Sequence, residues 1–532
     1  MPSQNLTDRF SFQDSVFIFL EKKDMPLHIG VVEIFDGDIP TKQLQSFIES
    51  KLDNQRRYKQ KIEMASLNLA HPRWVQDTRF DIRNHVRRVR MAHGSMKELQ
   101  ELAGRIFSET MDRGKPLWDI TVVDGLDGGR TPVIWRVHHC LVDGIAGVEL
   151  MKALLDDRPV KFRESKKKAH KPRLDGDEPP SLAETLLESY SEFAEGFLSI
   201  PAAALDFAEA LLGSAPPVES LGQWAQLLPD LLKPVARLPF NQQCKGPRKF
   251  AFTALPMAEI DAIRKTSVGT VNDVVLTALT PALRRYIEKH GVNTDRLVRI
   301  MAPVNTRPPG RRGDAGVNIS LIPIDLPLGA MKPADLLRIV HERTQALKGA
   351  RMAGVFSLAS ACLAGLPVPL QILTAYVLRN PLPLAPWNLI CTNVPGPQES
   401  LYMLGRKMVA CYPYLPIIPM GNEMGLSVAV YSYDGTLYAG FAGDIVALPD
   451  VELLRDFFNQ EYARLKKAVL GRKAAPAPKR RAVKRAKPAA AQAPERVAVV
   501  PERLATAEPV EKVEAAAGPA AVEAEAAAVA KA

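Results

Sequence analysis

Cysteine is scarce in this chain. There are five among 532 residues, and no two form a C-x-x-C pair, so a disulfide scaffold and a thiolate zinc site are both excluded. Several catalytic signatures are also missing. There is no G-x-S-x-G elbow, no G-x-x-x-x-G-K-[ST] loop, no G-x-G-x-x-G fingerprint and no H-E-x-x-H helix, which removes the usual warrants for a serine hydrolase, a P-loop NTPase, a dinucleotide-dependent oxidoreductase and a zincin. The segment Met1 to Phe10 has no apolar h-region, so the expected setting is reducing and cytoplasmic. One long stretch, Met352 to Leu378, is free of charge over 27 residues. Pro367 and Pro369 sit inside it and divide it into two half-helices too short to span a bilayer. Peripheral contact with a membrane or lipid droplet is therefore expected, on the cytoplasmic side.

What is present suffices for a large core. The chain is 46% hydrophobic and 24% charged, and at ~150 residues per domain it has room for two to four domains. The net charge of +10 is unevenly placed: residues 471–532 hold twelve Lys/Arg against seven Glu, giving +5. Arg472 to Lys487 contains eight basic residues and no acid, set among Pro and Ala, a composition that predicts a disordered tail, read first as a solubilising appendage and second as a segment with affinity for anionic surfaces. The remainder is only mildly basic, so no specific nucleic-acid partner is expected.

The texture of the chain changes three times. Residues 1–158 mix helical patterns with β-prone runs such as Ile29–Phe35 and Pro132–His138. Residues 159–246 read as a connector of short helices, punctuated by Pro201, Pro216, Pro217, Pro229, Pro234 and Pro239. Residues 247–470 return to alternation, with strand-like runs at Leu297–Pro303, Ile319–Asp325, Leu389–Asn393, Gly425–Ser432 and Leu437–Gly443. The fold class is α/β, with two lobes, a helical connector and the tail 471–532.

The most informative local signal begins at Val133. A β-prone run leads into His138-His139-Cys140-Leu141-Val142-Asp143-Gly144. Asp143 can cap a following helix whose apolar positions Ile145, Val148, Met151 and Leu155 recur at helical spacing. Adjacent residues of a strand face opposite ways, so the two imidazoles are poorly placed to share one metal ion, and no metal is expected. One imidazole in a cleft with its neighbour in the protein body suits a general base. With no nucleophile in evidence, the base serves direct transfer to an incoming hydroxyl.

These residues resemble the HHxxxDG signature of the CoA-dependent acyltransferases, which include chloramphenicol acetyltransferase and peptide-synthetase condensation domains. Further motifs are similar to those of the bacterial wax ester synthase/diacylglycerol acyltransferase family: Pro26-Leu27-His28-Ile29-Gly30, Pro116-Leu117-Trp118, Asn272-Asp273 and Asn393-Val394-Pro395-Gly396-Pro397. Asp14, Phe17 and Glu21 also match that family's first helix, and the likeness runs from about residue 10 to 465.

The resemblance implies two chloramphenicol-acetyltransferase-like lobes with a channel between them. It implies acyl-CoA as co-substrate, with no bound cofactor, and diacylglycerol or a long-chain alcohol as acceptor. His138, His139, Asp143 and Gly144 become the catalytic candidates, with His139 as base and Asp143 holding the loop through an internal ion pair. Trp118, Asn272, Asn393 and Gly396 become the substrate-binding candidates. Each also has a plainer reading. Trp118 fits a core position, Asp273 the start of a helix opened by Thr270, and Asn393 to Pro397 a stiff turn. Two other functions stand beside this one: a superfamily acyltransferase acting on a polyketide or peptide intermediate, and a non-catalytic coat on lipid droplets or membranes.

Overall fold

The computed structural model describes residues 9–53, 55–142, 144–162, 181–212, 235–267, 269–305, 319–349, 353–380, 387–418 and 423–471. The expected two-lobed α/β architecture is present, built on two six-stranded mixed sheets. The first sheet runs, edge to edge, Tyr402–Met403, Arg406–Tyr414, His28–Asp36, Arg130–His138, Trp118–Asp124 and Val86–Arg90. The second runs Arg248–Pro256, Thr436–Asp444, Leu426–Tyr433, Leu389–Pro395, Leu297–Asn305 and Ile319–Pro327.

Sequence order and spatial order part company at one strand. Arg406–Tyr414 belongs by position to the second half of the chain, yet it pairs antiparallel with His28–Asp36, with Gly30 opposite Tyr414 and Glu33 opposite Cys411. The boundary expected at residues 246 and 247 therefore does not separate the two sheets. Two large apolar clusters form the core. The first is built around Phe35, Phe47, Phe107 and Ile134 and also takes in Phe250, Phe252 and Tyr433 from the second sheet; the second is built around Leu279, Tyr286, Phe441 and Phe458.

The connector departs from its expected form. Where short helices broken at Pro201 were expected, one helix runs from Leu182 to Leu212 with Pro201 inside it. An internal proline costs a helix about 3 kcal/mol through its missing N–H, so the helix needs outside support. It packs on Ala353–Ala364 at very close range. A Cβ at Gly196 would lie 2.3 Å from the Ala364 carbonyl oxygen, so only glycine permits that approach. Of the prolines that punctuate the connector, Pro216, Pro217, Pro229 and Pro234 lie outside the described residues.

The uncharged stretch folds as the two half-helices expected, Ala353–Ala364 and Val368–Leu378, hinged at Pro367. No helix among the described residues is long and apolar enough to cross a membrane. The tail 472–532 lies outside the described residues.

Candidate active site

His138 ends the strand Arg130–His138, and His139 and Cys140 form the turn that follows. Main-chain bonds fix that turn from both sides. The His138 N–H donates to the Leu117 carbonyl and the His139 N–H to the Leu27 carbonyl, each at 2.9 Å. Leu117 lies in Pro116-Leu117-Trp118 and Leu27 in Pro26-Leu27-His28-Ile29-Gly30. Two sequence motifs thus serve the histidine pair through their backbones.

The ring of His138 is oriented by its neighbours. Cys140 donates its backbone N–H to His138 Nδ1 at 3.2 Å. A backbone N–H cannot accept, so Nδ1 is the acceptor and the ring proton sits on Nε2. That proton points to Glu21 Oε1 at 3.2 Å. Glu21 caps the C-terminus of the helix Phe12–Leu20 with an extended backbone, and the chain then reverses through paired bonds between Lys22 and Met25. The reversal returns Leu27, whose N–H donates to Glu21 Oε1 at 3.1 Å, while Arg113 Nη2 donates to Oε2 at 2.9 Å. Burial alone would raise the Glu21 pKa. The bonds from His138, Leu27 and Arg113 outweigh burial and hold it at about 2.

His139 is treated differently. Its ring lies flat on Phe17, centroid to centroid 4.1 Å with 6° between planes. Phe17 and Glu21 are four residues apart, on the same side of one helix end. A single helix terminus therefore addresses both histidines, stacking on one and hydrogen-bonding the other. The adjacent Cys140 is buried, and burial pushes its thiol well above the ordinary range, so it stays protonated and is no nucleophile. His28 sits directly across the ladder from His138, beside the stacked rings of Phe107 and Tyr414. Complete burial drives its imidazole well below the usual value, so it is neutral.

An apolar cavity opens between the sheets and the helix Gly144–Leu154; neither histidine is among its lining residues, but Val137 and Val142, which flank their turn in sequence, are. The free space between its walls, open mouth included, is ≈ 890 Å³. Ile29 is also among its lining residues. Met151, Val394 and Tyr431 close other sides.

The expected site residues are distributed as follows. Gly144 opens the helix whose Val148 and Met151 face the cavity; Asp143 lies outside the described residues. Trp118 is in the core of the first lobe, its Nε1 donating to the Tyr58 carbonyl at 2.7 Å and its ring stacked on His85. Asn272 is half-buried in the first turn of the helix Val271–Lys289 and is not in the cavity wall. Its neighbour Asp273 closes a capping box with Thr270 and also accepts from His341 and Thr344. Thr392 and Val394 line the cavity, and strand alternation turns Asn393 to the opposite face. Gly396 is pressed against the neighbouring strand, where a Cβ would meet the Ser432 carbonyl oxygen at 2.4 Å.

Sequence reasoning left Glu21 without a role and passed over Glu33 altogether. Glu33 had a visible signal, as a lone carboxylate in the otherwise apolar row Ile29, Val31, Glu33, Phe35. Glu21 had none beyond its family likeness, because its partners Arg113 and His138 are 92 and 117 residues away.

Known proteins place this geometry. Residues 10–275 match the wax ester synthase/diacylglycerol acyltransferase catalytic domain, and residues 315–466 match the C-terminal domain of the same family. The chain belongs to the wax ester synthase/diacylglycerol acyltransferase family. Two curated relatives come from Mycobacterium tuberculosis. A probable diacylglycerol O-acyltransferase is 27% identical over 457 residues, covering 84% of this chain and 94% of the relative. A putative diacylglycerol O-acyltransferase is 29% identical over 497 residues, covering 87% and 91%. Among solved structures, a wax ester synthase/diacylglycerol acyltransferase from Marinobacter aquaeolei aligns with TM-score 0.58 at 22% identity, over 86% of this chain and 98% of that one. The first condensation domain of the calcium-dependent antibiotic synthetase aligns with TM-score 0.53 at 13% identity, over 88% and 97%. At these identities the structural likeness speaks for the fold. Membership of the family makes the chain an acyltransferase of triacylglycerol and wax ester synthesis that draws on acyl-CoA.

Proposed function

We propose that His139 is the general base of a direct acyl transfer from long-chain acyl-CoA to the hydroxyl of diacylglycerol or of a long-chain alcohol. The observation that carries this reading is the contrast between the two histidines. The His138 ring is bound into the protein body through Cys140 and Glu21, whereas the His139 ring lies flat on Phe17 in the turn between Val137 and Val142, two residues of the cavity wall. Stacking fixes the plane in which the His139 imidazole is presented, and a base needs a fixed plane to meet an incoming hydroxyl.

In this mechanism the acceptor hydroxyl gives its proton to the His139 ring as its oxygen attacks the thioester carbonyl. The carbon–sulfur bond of the resulting tetrahedral oxyanion breaks, and the departing CoA thiolate takes the proton back from His139. Both substrates have to be bound together, which agrees with the inert Cys140. His138 and Glu21 act as positioning residues, keeping the turn that carries His139 in register.

Contact with a membrane or lipid droplet belongs to the same reading, on the inner, cytoplasmic side. Leu187, Tyr190 and Leu198 of the helix Leu182–Leu212 and Leu373 and Tyr376 of the helix Val368–Leu378 are each more than half exposed, and exposed apolar surface of this kind suits a lipid interface. The helix Val368–Leu378 packs on Phe12–Leu20, the helix that carries Phe17, so lipid contact and reaction centre share one support.

The acceptor is tested by incubating purified protein with labelled palmitoyl-CoA and either diolein or hexadecanol. Ester formation with at least one supports the reading, and intersecting initial-rate lines support direct transfer. Hydrolysis alone, or label trapped covalently on the protein, would contradict it.

A further inference from the structure

The far end of the cavity is not apolar. Strand alternation places Ile29, Val31 and Glu33 in one row along its wall. His28 is level with His138, and Glu33 is five residues further, which at ~3.4 Å per residue puts it ~17 Å deeper. Its side chain is almost completely buried, at 1% exposure. Trp135, on the neighbouring strand, lines the same cavity and donates its indole N–H to Glu33 Oε2 at 2.9 Å. Oε1 has no hydrogen-bond partner among the described residues. Burial raises the carboxyl, against the Trp135 bond, to about 8, so at neutral pH it is an uncharged acid with a proton to donate.

A carboxyl group of this kind is costly to leave unsatisfied. Hydrocarbon alone makes a poor neighbour for a buried donor, and a purely apolar residue would suit a methyl terminus better. We propose that Glu33 and Trp135 form a polar floor that recognises a hydroxyl at the far end of the acyl chain, so that ω-hydroxyacyl-CoA is a further acyl donor for this enzyme. The terminal hydroxyl accepts from the carboxyl or donates to its free oxygen, while the methylene chain fills the apolar walls above. The transfer at the thioester end is unchanged: the ester bond forms, the thioester bond breaks and CoA leaves as its thiol. The inference rests on the cavity being the acyl site of the proposed reaction.

The test is a competition. Full-length protein receives diolein with equal palmitoyl-CoA and ω-hydroxypalmitoyl-CoA, then the lauroyl and myristoyl pairs, and the product triacylglycerols are separated by mass. A ratio of products from one tube does not depend on how much protein is folded. At the best-matched length, wild type is expected to favour the hydroxylated chain ~3- to 10-fold over the preference shown by Glu33→Leu. Glu33→Gln, which still donates and accepts, should keep most of the preference. Glu33→Met serves in place of Glu33→Leu if the latter does not fold. An equal product ratio in wild type and in the apolar variants at every length overturns the inference while leaving acyl transfer intact. Failure to turn over any acyl-CoA overturns both.

Discussion

Glu21 gathers three donors of different kinds: a backbone amide, a guanidinium and an imidazole. Each draws the carboxylate toward its charged form, and each is placed by a different part of the chain. Replacing it by glutamine removes the charge and one acceptor, so the His138 turn should loosen. A misplacement of about 1 Å near a reacting group costs roughly 10²-fold, and Glu21→Gln is expected to lose turnover on that order with little change in acyl-CoA KM. Its stability effect has a definite sign. The folded carboxyl titrates at about 2 against an ordinary value of 4.5. Its contribution, up to about 3 kcal/mol, is full above pH ~4.5 and fades as pH falls toward 2. Thermal melts of wild type and Glu21→Gln should therefore differ most at neutral pH, and the gap should narrow below pH ~4.5 and close near pH 2. A constant gap across that range would mean that the carboxylate is not held by these donors. At this scale the sequence was informative where chemistry is local. The paired histidines and the Thr270–Asp273 box are readable within a few residues, and the box is formed as expected. Trp118 was equally visible as a motif residue, but its burial against His85 and Tyr58 depends on segments more than 30 residues away.

At the scale of elements, β-prone runs marked seven of the twelve strands in the two six-stranded sheets, because alternation and β-branched residues are properties of the strand itself. Helix Leu182–Leu212 was harder. Proline is a reliable breaker only when nothing outside the helix offsets its cost, and here the close contact between Gly196 and Ala364 lies 168 residues apart in sequence. Gly396 shows the same dependence in the second sheet. The turn after Leu389–Pro395 lies so close to Leu426–Tyr433 that a methyl group would meet a backbone oxygen and the Tyr431 ring. Overpacking of this sort costs about 1–3 kcal/mol. Gly396→Ala should lower the denaturant midpoint accordingly, with an unchanged slope, and activity should recover at low temperature. An unaltered midpoint would show that the strand end has room and that the NVPGP glycine serves something other than packing.

The whole molecule is held together by a strand that no local pattern could assign. Arg406–Tyr414 was not among the strand-like runs of the second half, and only its partner reveals that it completes the first sheet beside His28–Asp36. The buried pair Arg248–Asp444, 2.8 Å apart, adds a further tie, since Arg248 also donates to the Asp24 carbonyl. Residues 1–246 expressed alone would leave His28–Asp36 as an exposed, apolar edge, the usual template for aggregation. That fragment is expected to be insoluble, and co-expression with 247–471 should restore soluble protein and activity. Soluble, cooperatively melting 1–246 would contradict the account. Deleting 472–532 removes none of the described strands and should leave turnover on detergent-dispersed substrate unchanged. Above all these contacts stands one chemical assignment, that His139 takes the acceptor's proton while His138 holds the turn. The direct measurement is kcat of purified His139→Ala with palmitoyl-CoA and the better of the two acceptors, beside its thermal melt. The assignment predicts a fall of ~10²–10⁴-fold with a melt close to wild type, and turnover above half of wild type would contradict it.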